Sequence, residues 1–186
     1  MNTNPRLHSF IGGSTGPWLV TGSRAIIGEP LPPVTRLDYV QGNPVPSPDF
    51  KGWVLSGTTS NDRYVTRPEK MQLLARQQGL GRPEVDRAVL IPIRKSAAWW
   101  ALTQDERRRI FEEGSRHNAI GMEYLPAIAR RLHHCRDMGE LQPFDFLTWF
   151  EFEERHVAAF DELLEQLRAT EEWSYVEHEV VLRLSR

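Results

Sequence analysis

Hydrophobic and polar positions change rhythm near residue 85. Before it, short apolar pieces alternate with breakers: Phe10-Ile11, Trp18 to Thr21 and Ala25 to Ile27 read as strand fragments cut by glycines. Six prolines make residues 30–48 mostly loop, with one strand at Arg36 to Val40. Trp53 to Thr59 reads as a strand, and Arg67 to Gln78 as one short helix ended by Gly79 and Gly81. After it the pattern is cleaner. Ala88 to Trp100 reads as an apolar strand. Thr103-Gln-Asp-Glu106 is a capping box that opens a helix running to about Met122. Ile128 to Cys135 and Phe144 to Phe152 pair as a hairpin. Glu154 to Ala169 carries Val157, Phe160, Leu163, Leu164 and Leu167 at helical spacing. Tyr175 to Leu184 alternates as a last strand, with Val176, Val180, Leu182 and Leu184 on one face.

The order β-α-β-β-α-β in the second half is ferredoxin-like. The chain is therefore expected to be α+β, with an antiparallel sheet and helices on one face, of the dimeric α/β-barrel type. Residues 81–186 form the complete half and residues 1–80 a truncated, helix-poor one.

Composition narrows the function. Net charge is −2, and no basic stripe is present to neutralise phosphates, so a nucleic-acid partner is not expected. No stretch is apolar enough to span a membrane, and the first residues carry no apolar run of a signal peptide, so a cytoplasmic protein is expected. The single cysteine, Cys135, excludes an intrachain disulfide and a Cys-x-x-Cys-His haem attachment. Six tryptophans are a high count and suit a broad apolar wall as well as plain core packing.

Few motifs carry chemistry by themselves. Gly12-Gly-Ser-Thr-Gly16 matches a nucleophile elbow, but Pro17 and a strand follow it, so it reads as a glycine turn. His133 and His134 would point to opposite faces of a strand and cannot easily share one ion. His117 shares a helix face with Ile110, Gly114 and Gly121, and two glycines beside a histidine would let a flat ligand approach. A half-buried histidine beside two incidental glycines satisfies the same spacing. Arg130 reads equally as a strand arginine, and Glu172 as a solvated helix end.

Resemblance supplies what spacing leaves open. Ile91-Pro-Ile-Arg-Lys-Ser-Ala-Ala-Trp-Trp100, Thr103-Gln-Asp-Glu-Arg-Arg108, Tyr124-Leu-Pro-Ala-Ile-Ala-Arg130, Phe144-Asp-Phe-Leu-Thr-Trp-Phe150 and Ala169-Thr-Glu-Glu-Trp173 together resemble the chlorite dismutase family, most closely its short, dimeric branch. Before residue 82 the resemblance rests on Arg63-Tyr64-Val65 and Gly79-Leu-Gly-Arg82. It implies haem b, one iron per subunit, with His117 as axial ligand and Glu172 bonded to the other imidazole nitrogen. It implies Arg130 as the distal arginine that meets chlorite or another small anion. Leu132, Thr148 and Phe150 would line the distal pocket, with Lys95, Trp99 and Tyr64 near the haem and its propionates. The implied activity is conversion of chlorite to chloride and dioxygen by a homodimer. Alternatives on the same fold are a coproheme decarboxylase, a peroxidase-like enzyme and a non-catalytic haem-binding protein. Glu140-Leu-Gln-Pro143 departs from the family pattern by two extra turn residues.

Overall fold

A computed structural model of the protein describes residues 4–44, 46–60, 66–138 and 142–186. Eight strands form one closed antiparallel barrel. They are β1 (Leu7–Gly13), β2 (Trp18–Ile27), β3 (Arg36–Gln41), β4 (Trp53–Thr59), β5 (Arg87–Lys95), β6 (Ala129–His134), β7 (Phe146–Phe152) and β8 (Val176–Ser185). Around the barrel their order is β1-β3-β2-β8-β5-β7-β6-β4. The helices are α1 (Arg67–Arg76), α2 (Ala97–Ala101), α3 (Gln104–Arg108), α4 (His117–Glu123) and α5 (Val157–Arg168). None of the described helices is long and apolar enough to cross a membrane.

The second-half elements follow the expected order, and β6 and β7 pair as expected, with Arg130 opposite Phe150 and Leu132 opposite Thr148. The sheet does not stay open on its own. The first-half strands close it through β2 on β8 and β4 on β6. The pieces read as Trp18 to Thr21 and Ala25 to Ile27 are one strand, whose register shifts between Val20 and Gly22 and between Ala25 and Ile27. The glycine-rich run is divided: Gly12 and Gly13 end β1, and Gly16 lies in the turn after it at φ 128°, where a Cβ would meet the Leu37 carbonyl oxygen at 2.6 Å.

Three expectations need correction. The strand read as Ala88 to Trp100 ends at Lys95. The Ser96 hydroxyl then accepts from the Trp99 amide, and two alanines carry a helical turn through both tryptophans. The helix read from Thr103 to Met122 is broken. After α3 comes a π-helical turn, Arg109–Gly114, in which the Ser115 amide donates to Ile110, and Arg116 sits at φ 52°. His117 thus begins a new helix and does not share one with Ile110 and Gly114. Finally, Val176 does not face with Val180, Leu182 and Leu184. A bulge against Lys95 turns it over, because Arg94 pairs with His178 while Lys95 pairs with Val176.

Two cores result. The barrel interior holds Phe10, Trp18, Leu37, Leu55, Leu90, Trp149, Leu182 and Leu184. The outer face of β5, β7 and β8 meets α5 through Val89, Ile91, Phe150, Phe152, Phe160, Leu163, Leu164 and Leu167. β5 is buried on both faces, which explains its unbroken apolar run. Each fully buried side chain of this size contributes about 1.5–3 kcal/mol.

The interior also holds a neutral histidine. His133 is fully buried beside Phe10 and Tyr39, and Gly57 makes room for it, since a Cβ there would lie 2.8 Å from the His133 Cβ. Burial lowers its pKa to about 3, against a bond to the Leu147 carbonyl that raises it. Above about pH 6.5 the ring is neutral in both folded and unfolded chains. Below that the unfolded chain takes up a proton that the folded one refuses until about pH 3. Stability is therefore lost as pH falls, by about 2–3 kcal/mol near pH 4.5. The melting temperature should drop more steeply between pH 7 and 4.5 in wild type than in His133→Gln. Parallel curves would refute this assignment.

Candidate functional site

The site forms between the outer face of β5–β7–β6 and the helices packed over it. Ile91, Ile93, Phe146, Thr148, Phe150, Arg130 and Leu132 line it from the sheet. His117, Asn118 and Gly121 of α4, Tyr124 just after it, and Leu163, Leu164 and Leu167 of α5 line the other side. The pocket encloses about 1110 Å³ of space, including its open mouth. Strand alternation places Arg130 with Leu132, and Thr148 with Phe150, on this side, while Arg131, His133 and Trp149 turn into the barrel.

One wall is a tight polar relay. The His117 Nδ1 lies 2.7 Å from Glu172 Oε2. Lys95 Nζ donates to Glu172 Oε1 at 2.8 Å and to the Glu172 carbonyl at 3.2 Å. The Glu172 amide donates to the Ser115 hydroxyl at 2.9 Å. Burial alone would raise the Glu172 pKa. His117 and Lys95 outweigh it and hold the carboxyl at about 2. An ionised carboxylate accepts only, so His117 Nδ1 carries a proton, and in the neutral ring Nε2 is the acceptor. Phe111 stacks on the imidazole with centroids 4.3 Å apart. Lys95 is buried under Trp99, 4.7 Å from that ring, and 5.6 Å from Trp173. Trp173 is fixed in turn by its indole bond to the buried Glu179 at 2.9 Å, and Arg168 also holds Glu179.

The opposite side is apolar except for Arg130 and the hydroxyl-bearing Thr148. The Arg130 guanidinium has no ion pair among the described residues. Burial lowers its pKa, with the Glu112 carboxylate opposing. Gln77 reaches the same strand by donating to the Arg130 carbonyl at 2.5 Å.

The candidates His117, Glu172, Lys95, Trp99, Arg130, Leu132, Thr148 and Phe150 all line this one pocket. Tyr64 and the Glu140 end of the extra turn lie outside the described residues. Gly121 borders the pocket, where an added Cβ would meet nothing within 4 Å. Gly114 instead packs on Glu171. Spacing missed Phe111, because six residues on a regular helix point away from His117 and only the π turn brings the rings together. It missed Asn118 as well, whose buried Nδ2 has no partner among the described residues.

The donor set bears on which cofactor fits. No group of three or more His, Cys, Asp or Glu among the described residues could hold a bare ion. A single imidazole, turned by a carboxylate so that one nitrogen faces a large apolar slot, suits a metal that brings its own planar ligands. The residues present fit a haem.

An antiparallel barrel with a helix-covered, mostly apolar pocket, a carboxylate-bound histidine on one side and an arginine on the other is the class that fold and site define. The chlorite dismutase family model matches residues 51–186, and the chain belongs to that family. A chlorite dismutase of Ideonella dechloratans is 31% identical over 88 residues, which is 47% of this chain and 28% of that protein. The chain thus spans under a third of that relative's length. The crystal structure of dimeric chlorite dismutases from Nitrobacter winogradskyi is 54% identical, covers 96% of this chain and 99% of that one, and superposes with a TM-score of 0.87. A mutant chlorite dismutase from Candidatus Nitrospira defluvii shares the fold at 18% identity and a TM-score of 0.67, covering 99% of this chain and 92% of that one.

Proposed function

We propose that this protein binds one haem b per subunit and converts chlorite to chloride and dioxygen. The observation that carries the reading is a single pocket holding both a carboxylate-tied imidazole and an arginine with no ion pair among the described residues. Haem, when bound, would supply the redox-active iron that chlorite conversion needs. Everything else falls to the chain. His117 gives its Nε2 to the iron. Glu172 keeps the proton on Nδ1, fixes the ring plane and strengthens the imidazole as a donor. Lys95 holds Glu172 ionised from behind. Trp99 and Trp173 place their ring faces on the Lys95 ammonium. Across the pocket Arg130 draws in the anion and retains charged species, and Leu132, Thr148 and Phe150 keep polar competitors away. Tyr64, by the family pattern, belongs near a haem propionate. The protein is a homodimer in this reading, as the 54% identical Nitrobacter protein is dimeric.

The test is an oxygen electrode. Haem-loaded protein given chlorite should release one dioxygen per chlorite consumed. Chlorite loss without oxygen would sink the activity while leaving haem binding intact. His117→Ala should retain haem more weakly by more than the ~10–100-fold that loss of an outer partner costs. An unchanged haem spectrum in that variant would remove His117 as ligand.

A further inference from the structure

The barrel interior, on the far side of the sheet from the pocket, carries a chain of aromatic rings whose polar atoms are paired for proton transfer. Tyr39 stacks on Trp149 with centroids 5.2 Å apart and an angle of 28°. Trp149 lies on β7 between Thr148 and Phe150, which both line the pocket, while its own indole packs in the barrel interior. The indole N–H donates to Glu151 at 2.9 Å, and both groups are buried. A carboxylate at that position stabilises a positive charge on the ring.

The Tyr39 hydroxyl is more sharply defined. His133 Nδ1 is 3.0 Å from the Leu147 carbonyl, which only accepts, so the proton is on Nδ1. His133 Nε2 is then an acceptor, and the Tyr39 hydroxyl 2.9 Å away donates to it. Arg131 donates to the same phenol oxygen at 3.2 Å and fixes the direction of its O–H. Tyr39 is only half-buried and the ring of His8 stacks over it, so this end of the chain lies close to solvent.

We propose that Tyr39, with His133 as its proton acceptor, is a redox-active tyrosine that is oxidised from the pocket through Trp149. The proposal rests on the pocket handling oxochlorine chemistry. An oxochlorine one-electron oxidant such as chlorine dioxide takes an electron from Trp149 and leaves as chlorite. Tyr39 refills Trp149. Its hydroxyl proton passes to His133 Nε2, giving a neutral tyrosyl radical and an imidazolium. No bond between heavy atoms forms or breaks. A thiol-class reductant in solution returns one electron to Tyr39, and His133 returns the proton. Stray oxidising equivalents thus leave the site without destroying it. The step places a charge beside Arg131, so the radical is transient.

Two arms test this. Haem-loaded protein mixed with chlorite and frozen within the first turnovers should show a tyrosyl radical by electron paramagnetic resonance. Tyr39→Phe, which removes one hydroxyl, should lower that signal several-fold and bleach several-fold faster, with the initial rate of oxygen release unchanged. Glu151→Gln and Trp149→Phe should lower it as well. In the second arm the full chain without haem is oxidised from solution by flash-generated ruthenium(III) polypyridyl. Its tyrosyl yield should fall several-fold in Tyr39→Phe, and in His133→Gln the radical should form more slowly. Failure to load haem would sink the site reading alone, because this second arm still decides the pair. A yield that does not depend on Tyr39 there overturns the pair. A Tyr39-dependent yield there, with no such dependence in the haem-loaded protein, overturns the relay through Trp149.

Discussion

Replacing Arg130 by alanine should lower chlorite turnover by about 10²–10³ while leaving haem uptake unchanged. The size follows from what surrounds the guanidinium. Ile91, Leu132, Phe146 and Phe150 line the same pocket, so a charge there acts in a low dielectric and is worth more than in water. Losing one preorganised donor in such a setting costs about 10²–10³ in rate. Among the charged groups it is the Glu112 carboxylate that acts on Arg130, opposing the effect of burial, and it forms no ion pair with the guanidinium among the described residues. Arg130→Lys keeps the charge and loses the planar fork, so it should recover part of the rate and less of the anion affinity. Oxygen release and haem absorbance, measured together, check both claims. A rate within twofold of wild type in Arg130→Ala would remove the distal role.

How much of this was legible depends on which physics each residue answers to. α5, β7 and the facing of β6 and β7 follow from periodicity, because a helix or strand with one buried face must repeat at 3.6 or 2. The same rule put Arg130 and Leu132 on one face before any coordinates. The helix carrying His117 was misread because the break lies in backbone geometry at Ser115 and Arg116, which hydropathy does not register. One bulge at β8 was enough to send Val176 to the other core. Barrel closure depends on pairings distant in sequence, such as Trp18 to Ile27 against β8, and short glycine-interrupted runs carry no signal for a partner that far along the chain. Glu172 looked like a solvated helix end because its burial is imposed by Lys95, Ser115 and His117, each from a different segment. Family resemblance bridged that gap, since it encodes the three-dimensional neighbours that local pattern omits.

Glu172→Ala should be the most destabilising single change at the site, at about 3–5 kcal/mol. The carboxylate is buried and its removal strands the ammonium of Lys95, which is 5% exposed. What remains for that charge is one carbonyl at 3.2 Å and the faces of Trp99 and Trp173. For a chain of this length such a loss lowers the melting temperature by about 10 °C. The double variant Lys95→Met with Glu172→Leu should regain most of it, because a buried ion pair replaced by apolar groups of similar size is often neutral or better. It should not regain the chemistry, since His117 Nδ1 then has no acceptor and the ring is free to turn. Glu172→Gln separates the two roles from the other side: it keeps the shape, weakens electron donation from the imidazole, and should raise the haem reduction potential. Thermal melts and a redox titration of the three variants read stability and iron tuning independently. If the double variant matched wild type in both, the relay would be a folding device and His117 would need no carboxylate to do its work.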